Sequence, residues 1–325
     1  MQSSEFSEAE HKTLSIILPA HNEEKVIRAT YRRVVETSER LKPLGLNVEI
    51  IFINDGSVDA TGSIIDDFAD NDKRVYAVHL TRNFGHQAAV SAGLELANGD
   101  VISVMDCDLQ DPPEILPEFV KKWQSGYQVV YAVREKRKEH VFKRLAYWIF
   151  YRVLRVMSEI EIPLDSGDFC VLDRSAVDLL NQLPERQRFI RGLRAWIGLK
   201  QVGVRYERQE RHAGESSYNF KSLIKLATDG LTSFSSAPLR IATRVGLLGV
   251  CFGTLIGIWV VGATIWESIN GGHTPRGWAS IATLVLLSGS IQLLFLGIFG
   301  EYLGRIFIEV KQRPAFLIAR THRLK

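Results

Sequence analysis

The chain has 325 residues, 46% of them hydrophobic, and a formal net charge of +3 at pH 7. This length is sufficient for about two domains. The three cysteines are too few and too scattered to form a disulfide framework or a zinc site, which agrees with a reducing compartment. The first residues, Met-Gln-Ser-Ser-Glu, contain neither a basic segment nor an apolar segment, so we expect no signal peptide.

The N-terminal part of the chain alternates between short apolar runs and helical patterns. We predict strands at 14–19, 48–53, 75–80 and 101–105, and helices at 24–41, 60–71 and 85–97. This alternation predicts an α/β fold with a mostly parallel sheet and helices on both of its faces. Ligands of such sheets bind beyond the carboxyl ends of the strands. The loops at these ends carry Asp55, Asp59, Arg82, Asp106 and Asp108, which we expect to converge on one crevice.

Asp106 and Asp108 follow the fourth predicted strand and precede Pro112 and Pro113. Residues two apart on a strand end share a face, so the two carboxylates would repel each other without a cation between them. Mg²⁺ and Mn²⁺ prefer a few carboxylates together with phosphate oxygens. The pair therefore predicts a divalent cation that bridges to a nucleotide-diphosphate donor, although a solvated acidic turn is the alternative for this motif alone.

A second acidic segment, 54–59, follows the second predicted strand and has the composition of a turn. It could simply cap the next helix. Its place at a strand end favours a role in holding a base or a ribose, because a carboxylate accepts hydrogen bonds from both. The chain has neither the glycine spacing of a dinucleotide fold nor a phosphate-binding Walker loop, which disfavours an oxidoreductase.

The middle of the chain is basic, with eight Lys or Arg against two Glu in residues 134–155. Basic and large apolar residues recur at near-helical spacing in 141–157 and 218–236. We predict amphipathic helices at a membrane interface, with core-facing helices of a soluble domain as the alternative. Because the basic residues alternate with large aliphatic ones, we do not expect nucleic-acid binding.

Two uncharged segments, 245–266 and 277–300, are each long enough to cross a bilayer as a helix, which takes about 20 residues. They predict a transmembrane hairpin, and buried core helices are the alternative. Basic residues flank the pair on its outer sides, namely Arg240, Arg244, Arg305, Lys311 and Arg313. The positive-inside rule then predicts a multi-pass protein of the inner (cytoplasmic) membrane, with its catalytic domain and both termini in the cytoplasm.

Several motifs together resemble a known enzyme family. Residues 15–24, 54–61 and 106–110 resemble the family-2 glycosyltransferases with the GT-A fold. Residues 166–169, 189–193 and 211–218 are similar to the polyprenyl-phosphate glycosyltransferases. That branch includes dolichyl-phosphate mannose synthases and bacterial enzymes that glucosylate undecaprenyl phosphate for O-antigen modification. The resemblance covers residues 13–310, but Ser217 stands where many relatives carry Lys.

The resemblance implies an inverting transfer of a sugar from a nucleotide diphosphate to a lipid phosphate. Glucose from UDP-glucose and undecaprenyl phosphate are the expected pair; a mannosyl or amino-sugar transferase with a dolichyl carrier is the alternative. A processive polysaccharide synthase is disfavoured, because two spans cannot enclose a pore and no Gln-x-x-Arg-Trp segment is present. A non-catalytic membrane scaffold is disfavoured by the intact Asp-x-Asp motif.

The resemblance also implies roles for individual residues. The donor would contact Pro19, Ala20, Asn22, Glu23, Asp55, Asp59, Arg82, Asp106 and Arg134. The acceptor would contact Arg137, Arg211 and Ser216. The cation, Mg²⁺ or Mn²⁺, would be held by Asp106, Asp108 and Gln110. Catalysis would involve Asp168, Asp165 and Arg211, with Asp168 as either a base or an orienting group.

We therefore expect four regions along the chain. They are a nucleotide-sugar part at 1–133, an acceptor part with the amphipathic helices at 134–240, two transmembrane helices at 241–303 and a basic cytoplasmic tail at 304–325. The expected partners are a UDP-sugar, a polyprenyl phosphate and the membrane, and a homo-oligomer is left open.

Overall fold

The computed structural model describes residues 12–135, 166–207, 237–270 and 277–323. The strands are β1 Lys12–Ala20, β2 Leu46–Asn54, β3 Val75–Leu80, β4 Val101–Val104, β5 Val129–Glu135, β6 Ser166–Asp173, β7 Gln201–Glu207 and β8 Ile318–His322. The helices are α1 Ile27–Leu41, α2 Thr61–Asn71, α3 His86–Leu96, α4 Leu116–Gln124, α5 Arg174–Gln182, α6 Ile190–Trp196, α7 Ala237–Asn270 and α8 Trp278–Lys311.

The eight strands form one mixed sheet in the order β7-β5-β6-β4-β1-β2-β3-β8. Its centre is the parallel set β4-β1-β2-β3, which confirms the predicted α/β architecture. Strand β6 pairs antiparallel with β4 and β5, and β8 pairs antiparallel with β3. The start of β6 therefore lies beside the carboxyl end of β4, at the edge where the sequence predicts the site.

Helices cover both faces of the sheet, as predicted. Helices α1, α2 and α4 pack on one face, and α3, α5 and α6 pack on the other, which we call the α3 face. Successive strand residues alternate between these faces, so Ile50 and Phe52 of β2 join the first core while Ile51 and Ile53 join the second. Full burial of each such side chain stabilises the fold by about 1.5–3 kcal/mol.

Both long C-terminal helices form where the sequence predicts them, but with different bounds. Helix α8 continues past the predicted end at residue 300 and stops before Gln312, whose φ of 51° is left-handed. Its segment Leu287–Lys311 is long and apolar enough to cross a membrane, and it alone meets that test within the described ranges. Helix α7 contains the shorter apolar stretch Ala242–Ile256. The hairpin of two spans therefore stays a prediction.

The structure divides the expected tail, 304–325, between the end of α8 and strand β8. The amide of Thr81 also donates to the carbonyl of Leu317 at 2.9 Å. Without β8, the polar backbone groups along the outer side of β3 would form an open sheet edge. This pairing explains why the segment is a strand although its sequence, Ile-Ala-Arg-Thr-His, has little apolar character.

Helix α8 contacts the segment between α5 and α6. The carboxylate of Glu309 accepts hydrogen bonds from the backbone amides of Arg186, at 3.0 Å, and Gln187, at 3.3 Å. These amides belong to the loop that precedes α6. The predicted amphipathic helices at 141–157 and 218–236 lie outside the described residues.

Candidate active site

The loops that follow β1, β2 and β3 are joined through His21. Its Nδ1 donates to the carbonyl of Asp55 at 2.8 Å, and its Nε2 accepts from the side-chain amide of Asn83 at 3.0 Å. The backbone amide of Asn22 also donates to Oγ of Ser57 at 3.0 Å. The carboxyl ends of the three strands thus form one continuous surface.

Asp55 lies on this surface and is almost fully buried. Its carboxylate accepts hydrogen bonds from the backbone amides of Phe84, at 2.7 Å, and Gly85, at 2.9 Å. Asp55 therefore holds the loop that carries Arg82. Each carboxylate oxygen can accept a further hydrogen bond, and the contact of Asp55 with a base or ribose stays a prediction.

Gly56 brings the same two loops into close contact. Its φ is +61°, and a Cβ added there would lie 2.3 Å from the carbonyl carbon of Arg82. A side chain at this position would therefore meet both backbone strain and a collision with backbone atoms. Glycine is required for the observed packing of the β2 and β3 loops.

Asp59 holds the start of α2. Its carboxylate accepts from the backbone amides of Thr61, at 3.0 Å, and Glu24, at 3.2 Å. Desolvation raises the pKa of Asp59, but the hydrogen bonds outweigh this effect, and the pKa is lowered overall. The N-cap residue of α2 is Ala60, which makes no side-chain capping bond, so Asp59 stabilises the turn before the helix rather than its N-cap. A donor contact of Asp59 stays a prediction.

The remaining predicted donor residues lie at the same edge. Pro19 and Ala20 end β1, and Asn22 adopts a left-handed conformation with φ of 58°. The backbone amide of Glu23 donates to Oγ1 of Thr61 at 2.8 Å. The guanidinium of Arg82 lies over the ring of Phe84, 4.0 Å from its centre.

After β4, partly exposed and buried side chains alternate. Asp106, Asp108 and Gln110 are partly exposed, whereas Cys107 and Leu109 between them are buried. The backbone amide of Gln110 donates to the carboxylate of Asp108 at 3.1 Å. Asp106, Asp108 and Gln110 each therefore present an oxygen-bearing side chain that a ligand can reach.

A further carboxylate, Asp168, reaches this place from β6. The pairing of Val104 with Cys170 sets the register, and Asp168 shares the α3 face with Cys170. His86, the first residue of α3, lies between the carboxylates. Its Nε2 is 3.6 Å from Oδ1 of Asp106 and 3.6 Å from Oδ2 of Asp168.

Two arginines of α6 complete the cluster. Nη2 of Arg191 is 3.2 Å from Oδ2 of Asp168. Arg194 is almost fully buried, with its guanidinium 5.1 Å from the ring centre of Tyr131 and Nη2 3.5 Å from the carbonyl of Gly167. His86 of α3 and the two arginines of α6 therefore hold Asp168 and the beginning of β6 in place.

The charges of this cluster shift the pKa of each member. Desolvation lowers the pKa of His86, but Asp168 and Asp106 outweigh it and raise the pKa to about 9. Burial raises the pKa of Asp106, and the nearby carboxylates add to this rise. Burial alone would also raise the pKa of Asp168, but Arg191 and His86 hold it well below its usual range. Asp168 is thus an ionised group between two cations.

Sequence reasoning missed the roles of His86, Arg191 and Arg194. Arg191 lies in the 189–193 motif that contributed to the resemblance, so a signal was present, although nothing in the spacing paired it with Asp168. His86 carries no signal in its residue type. The position of His86 becomes informative only when the fold is known, because α3 packs on the same face of the sheet that carries Asp168.

The side chains after β4 fit a divalent cation. In the described part of the chain, no three His, Cys, Asp or Glu side chains gather closely enough to hold a metal unaided. Mg²⁺ needs only one or two carboxylates when phosphate oxygens complete its shell, and Asp106 and Asp108 supply two. Oδ1 of Asp168 is buried and has no hydrogen-bond partner among the described residues, so one more oxygen is uncommitted.

Other predicted site residues cannot be placed at this edge. Asp165, Arg137, Arg211 and Ser216 lie outside the described residues. The backbone of Arg134 belongs to β5 and pairs with Tyr206 of β7, but its side chain is outside the described set.

Comparisons with known proteins agree with this geometry. The family described as "Glycosyl transferase family 2" matches residues 15–180. The chain is 43% identical over 313 residues to the uncharacterized glycosyltransferase YkcC of Bacillus subtilis, covering 96% of this chain and 95% of the relative. It is 41% identical to the SfII prophage-derived bactoprenol glucosyl transferase of Shigella flexneri, covering 95% and 98% of the two chains. The prophage bactoprenol glucosyl transferase homolog of Escherichia coli K12 is also 41% identical, over 95% and 99%. The chain therefore belongs to glycosyl transferase family 2.

Proposed function

We propose that this enzyme transfers glucose from UDP-glucose to a polyprenyl phosphate, with undecaprenyl phosphate as the expected carrier. The observation that carries the proposal is the cluster of Asp106, Asp168, His86 and Arg191 at the carboxyl edge of the sheet. The cluster contains carboxylates that can bind a metal ion and positively charged side chains that can bind phosphates. The names of the Shigella and Escherichia relatives support glucose and a bactoprenol carrier.

On the donor side, Asp55 and the loops joined by His21 would receive the nucleoside. Pro19, Ala20, Asn22, Glu23, Asp59, Arg82 and Arg134 complete the proposed donor set. Asp106 and Asp108, with Gln110 beside them, would hold Mg²⁺ or Mn²⁺, which when bound neutralises the diphosphate leaving group.

The chemical step needs little proton transfer. An oxygen of the lipid phosphate attacks C1 of the sugar, and the bond from C1 to the β-phosphate oxygen of UDP breaks on the opposite face. The acceptor phosphate has a second pKa near 6, so it is already largely a dianion at neutral pH. The enzyme must chiefly bring two polyanions together, which is a task for paired cations such as arginine. Arg191, and also Arg137, Arg211 and Ser216, are the proposed acceptor contacts.

We assign Asp168 an orienting role rather than that of a base. It contacts Arg191 and lies within ion-pair distance of His86, so both of its cationic neighbours would lose their anchor without it. Asp165 and Arg211 stay in the proposed catalytic set on the strength of the sequence motifs alone.

We also propose that the enzyme is anchored in the cytoplasmic membrane by α7 and α8, with both termini and the catalytic part in the cytoplasm. The apolar segment Leu287–Lys311 and the basic flanks of the helix pair support this. The phosphate of a polyprenyl carrier lies at headgroup depth, so a membrane-anchored site meets it without extracting its tail.

The test is a donor screen with membranes that contain the enzyme. Radiolabelled UDP-glucose, UDP-N-acetylglucosamine and GDP-mannose are offered in turn, and the lipids are extracted and counted. We expect label in the lipid fraction from UDP-glucose, and its loss when a chelator removes divalent cations. Label from another donor would refute the glucose assignment, and no lipid label from any donor would refute the lipid acceptor.

A further inference from the structure

Three polar side chains lie in one row across neighbouring strands of the sheet. Asn54 of β2 is the register partner of His79 on β3, and His79 is the register partner of Arg320 on β8. Asn54 and His79 are buried on the face covered by α2. Buried polar groups require partners, and Asn54 and His79 are hydrogen-bond partners of each other.

Asp66 of α2 joins His79 and Arg320. Its carboxylate accepts two hydrogen bonds from the guanidinium of Arg320, at 3.1 and 2.5 Å. The same carboxylate is 3.1 Å from Nε2 of His79, and Nδ1 of His79 is 3.0 Å from the side-chain amide of Asn54. Arg320, Asp66, His79 and Asn54 thus form one chain of hydrogen bonds, which we call the edge relay.

The partners of His79 define its protonation state. Asp66 can only accept, so Nε2 of His79 carries the proton, and Nδ1 accepts from the amide nitrogen of Asn54. A second proton, on Nδ1, would place this N–H donor against the N–H donor of the Asn54 amide. Burial lowers the pKa of His79, which agrees with a neutral ring. The neutral ring fixes the orientation of the Asn54 amide.

The edge relay ends in the loop that follows β2. With its nitrogen directed at His79, the amide oxygen of Asn54 accepts from the backbone amide of Ser57 at 3.0 Å. Oγ of Ser57 in turn accepts from the backbone amide of Asn22 at 3.0 Å. The conformation of both loops assigned to the nucleoside therefore depends on the orientation of Asn54.

We propose that the edge relay positions the nucleoside-binding loops, so that strand β8, which follows both long helices, contributes to donor affinity. Arg320, Asp66 and His79 are positioning residues in this role, since they act through Asn54. The inference rests on the proposed function, because it takes the loops at 21–24 and 55–59 to be the donor contacts.

Two substitutions at His79 separate the halves of the edge relay. His79→Asn retains an acceptor near the position of Nδ1 and keeps the bond to Asn54. His79→Gln retains a donor near the position of Nε2, keeps the bond to Asp66 and leaves the Asn54 amide without its partner. By calorimetry with UDP and Mn²⁺ in detergent, we expect about tenfold weaker binding for His79→Gln and about threefold for His79→Asn.

Two substitutions on β8, one of them a control, test the outer end of the edge relay. Arg320→Gln should raise the KM for UDP-glucose about threefold, with kcat and the KM for the lipid unchanged. His322→Gln is the control, because His322 pairs with Asp70 of α2 at 3.2 Å across the same two elements but outside the edge relay. It should leave all three constants unchanged.

The outcomes are distinct. Equal UDP affinity in His79→Gln, His79→Asn and the wild type would refute the edge relay, as would losses that merely follow each variant's melting temperature. A fall in kcat without a change in donor KM for Arg320→Gln would also refute it. Failure of the wild type to bind UDP would instead refute the proposed function.

Discussion

At the scale of single residues, the candidate site is built by placing unlike charges next to each other. His86 lies between Asp106, which follows β4, and Asp168 of β6, and Arg191 also pairs with Asp168. Each cation reduces the repulsion between Asp106 and Asp168. Asp106 and Asp108 are partly exposed, so a ligand can reach them.

Substitution of the carboxylates after β4 should affect cation and donor together. For Asp106→Asn and Asp108→Asn we expect kcat/KM to fall by a factor of about a hundred or more, since a lost cation contact removes several kcal/mol of transition-state stabilisation. Steady-state kinetics measure kcat/KM, and calorimetry with UDP, with and without Mn²⁺, measures the dependence of donor binding on the cation. Asp67→Asn, an exposed carboxylate on α2, is the control. Unchanged Mn²⁺ dependence in both site variants would contradict the assignment.

The pairing of Asp168 with Arg191 predicts that their substitutions do not add. Asp168→Asn and Arg191→Ala should each lower kcat/KM about tenfold to a hundredfold, and the double variant should be little worse than the poorer single one. A double-mutant cycle measures this coupling. The pH–rate profile of Asp168→Asn should keep the wild-type shape. A wild-type activity loss at low pH that disappears in the variant would instead identify Asp168 as a base.

At the scale of loops, Gly56 should tolerate substitution less well than Gly45, another glycine with a positive φ. Gly45 has a φ of +78° and nothing within 4 Å of an added Cβ, so Gly45→Ala should cost only the backbone strain of about 1–2 kcal/mol. Gly56→Ala adds a collision with the backbone of Arg82 and should lower stability further and weaken UDP binding. Thermal unfolding and calorimetry compare the two. Equal effects of both substitutions would show that the close approach is unimportant.

The elements that the sequence predicts well are those whose signals are local. Strands β1 to β4 and helices α1 to α3 alternate regularly, and their predicted bounds lie close to the observed ones. Strand β8 could not be predicted, because its sequence has no apolar alternation and its partner, β3, lies far away in the chain. Likewise Asp106 and Asp108 carry a recognisable spacing. His86 and Arg191 gain meaning only from the packing of α3 and α6 on one face.

At the scale of the whole molecule, Glu309 connects the longest apolar segment to the loop before Arg191. Glu309→Gln keeps one acceptor but loses the charge, so the amides of Arg186 and Gln187 would be held less firmly. We expect a KM for the lipid that is about threefold to tenfold higher, with unchanged UDP affinity. Glu301→Gln, an exposed change on the same helix, is the control. Equal lipid kinetics in both variants would show that this contact does not position the acceptor side.

Strand β8 also sets an order of events during synthesis. It follows α7 and α8 in the chain, so the ribosome makes it after both long helices. At a translation rate of about 5–20 residues per second, β3 lacks its outer partner for on the order of tens of seconds. During this interval the outer edge of β3 has unpaired backbone groups, with which other strands can pair. The outer side of β3 is therefore covered only after the ribosome has made the apolar segment Leu287–Lys311 of α8.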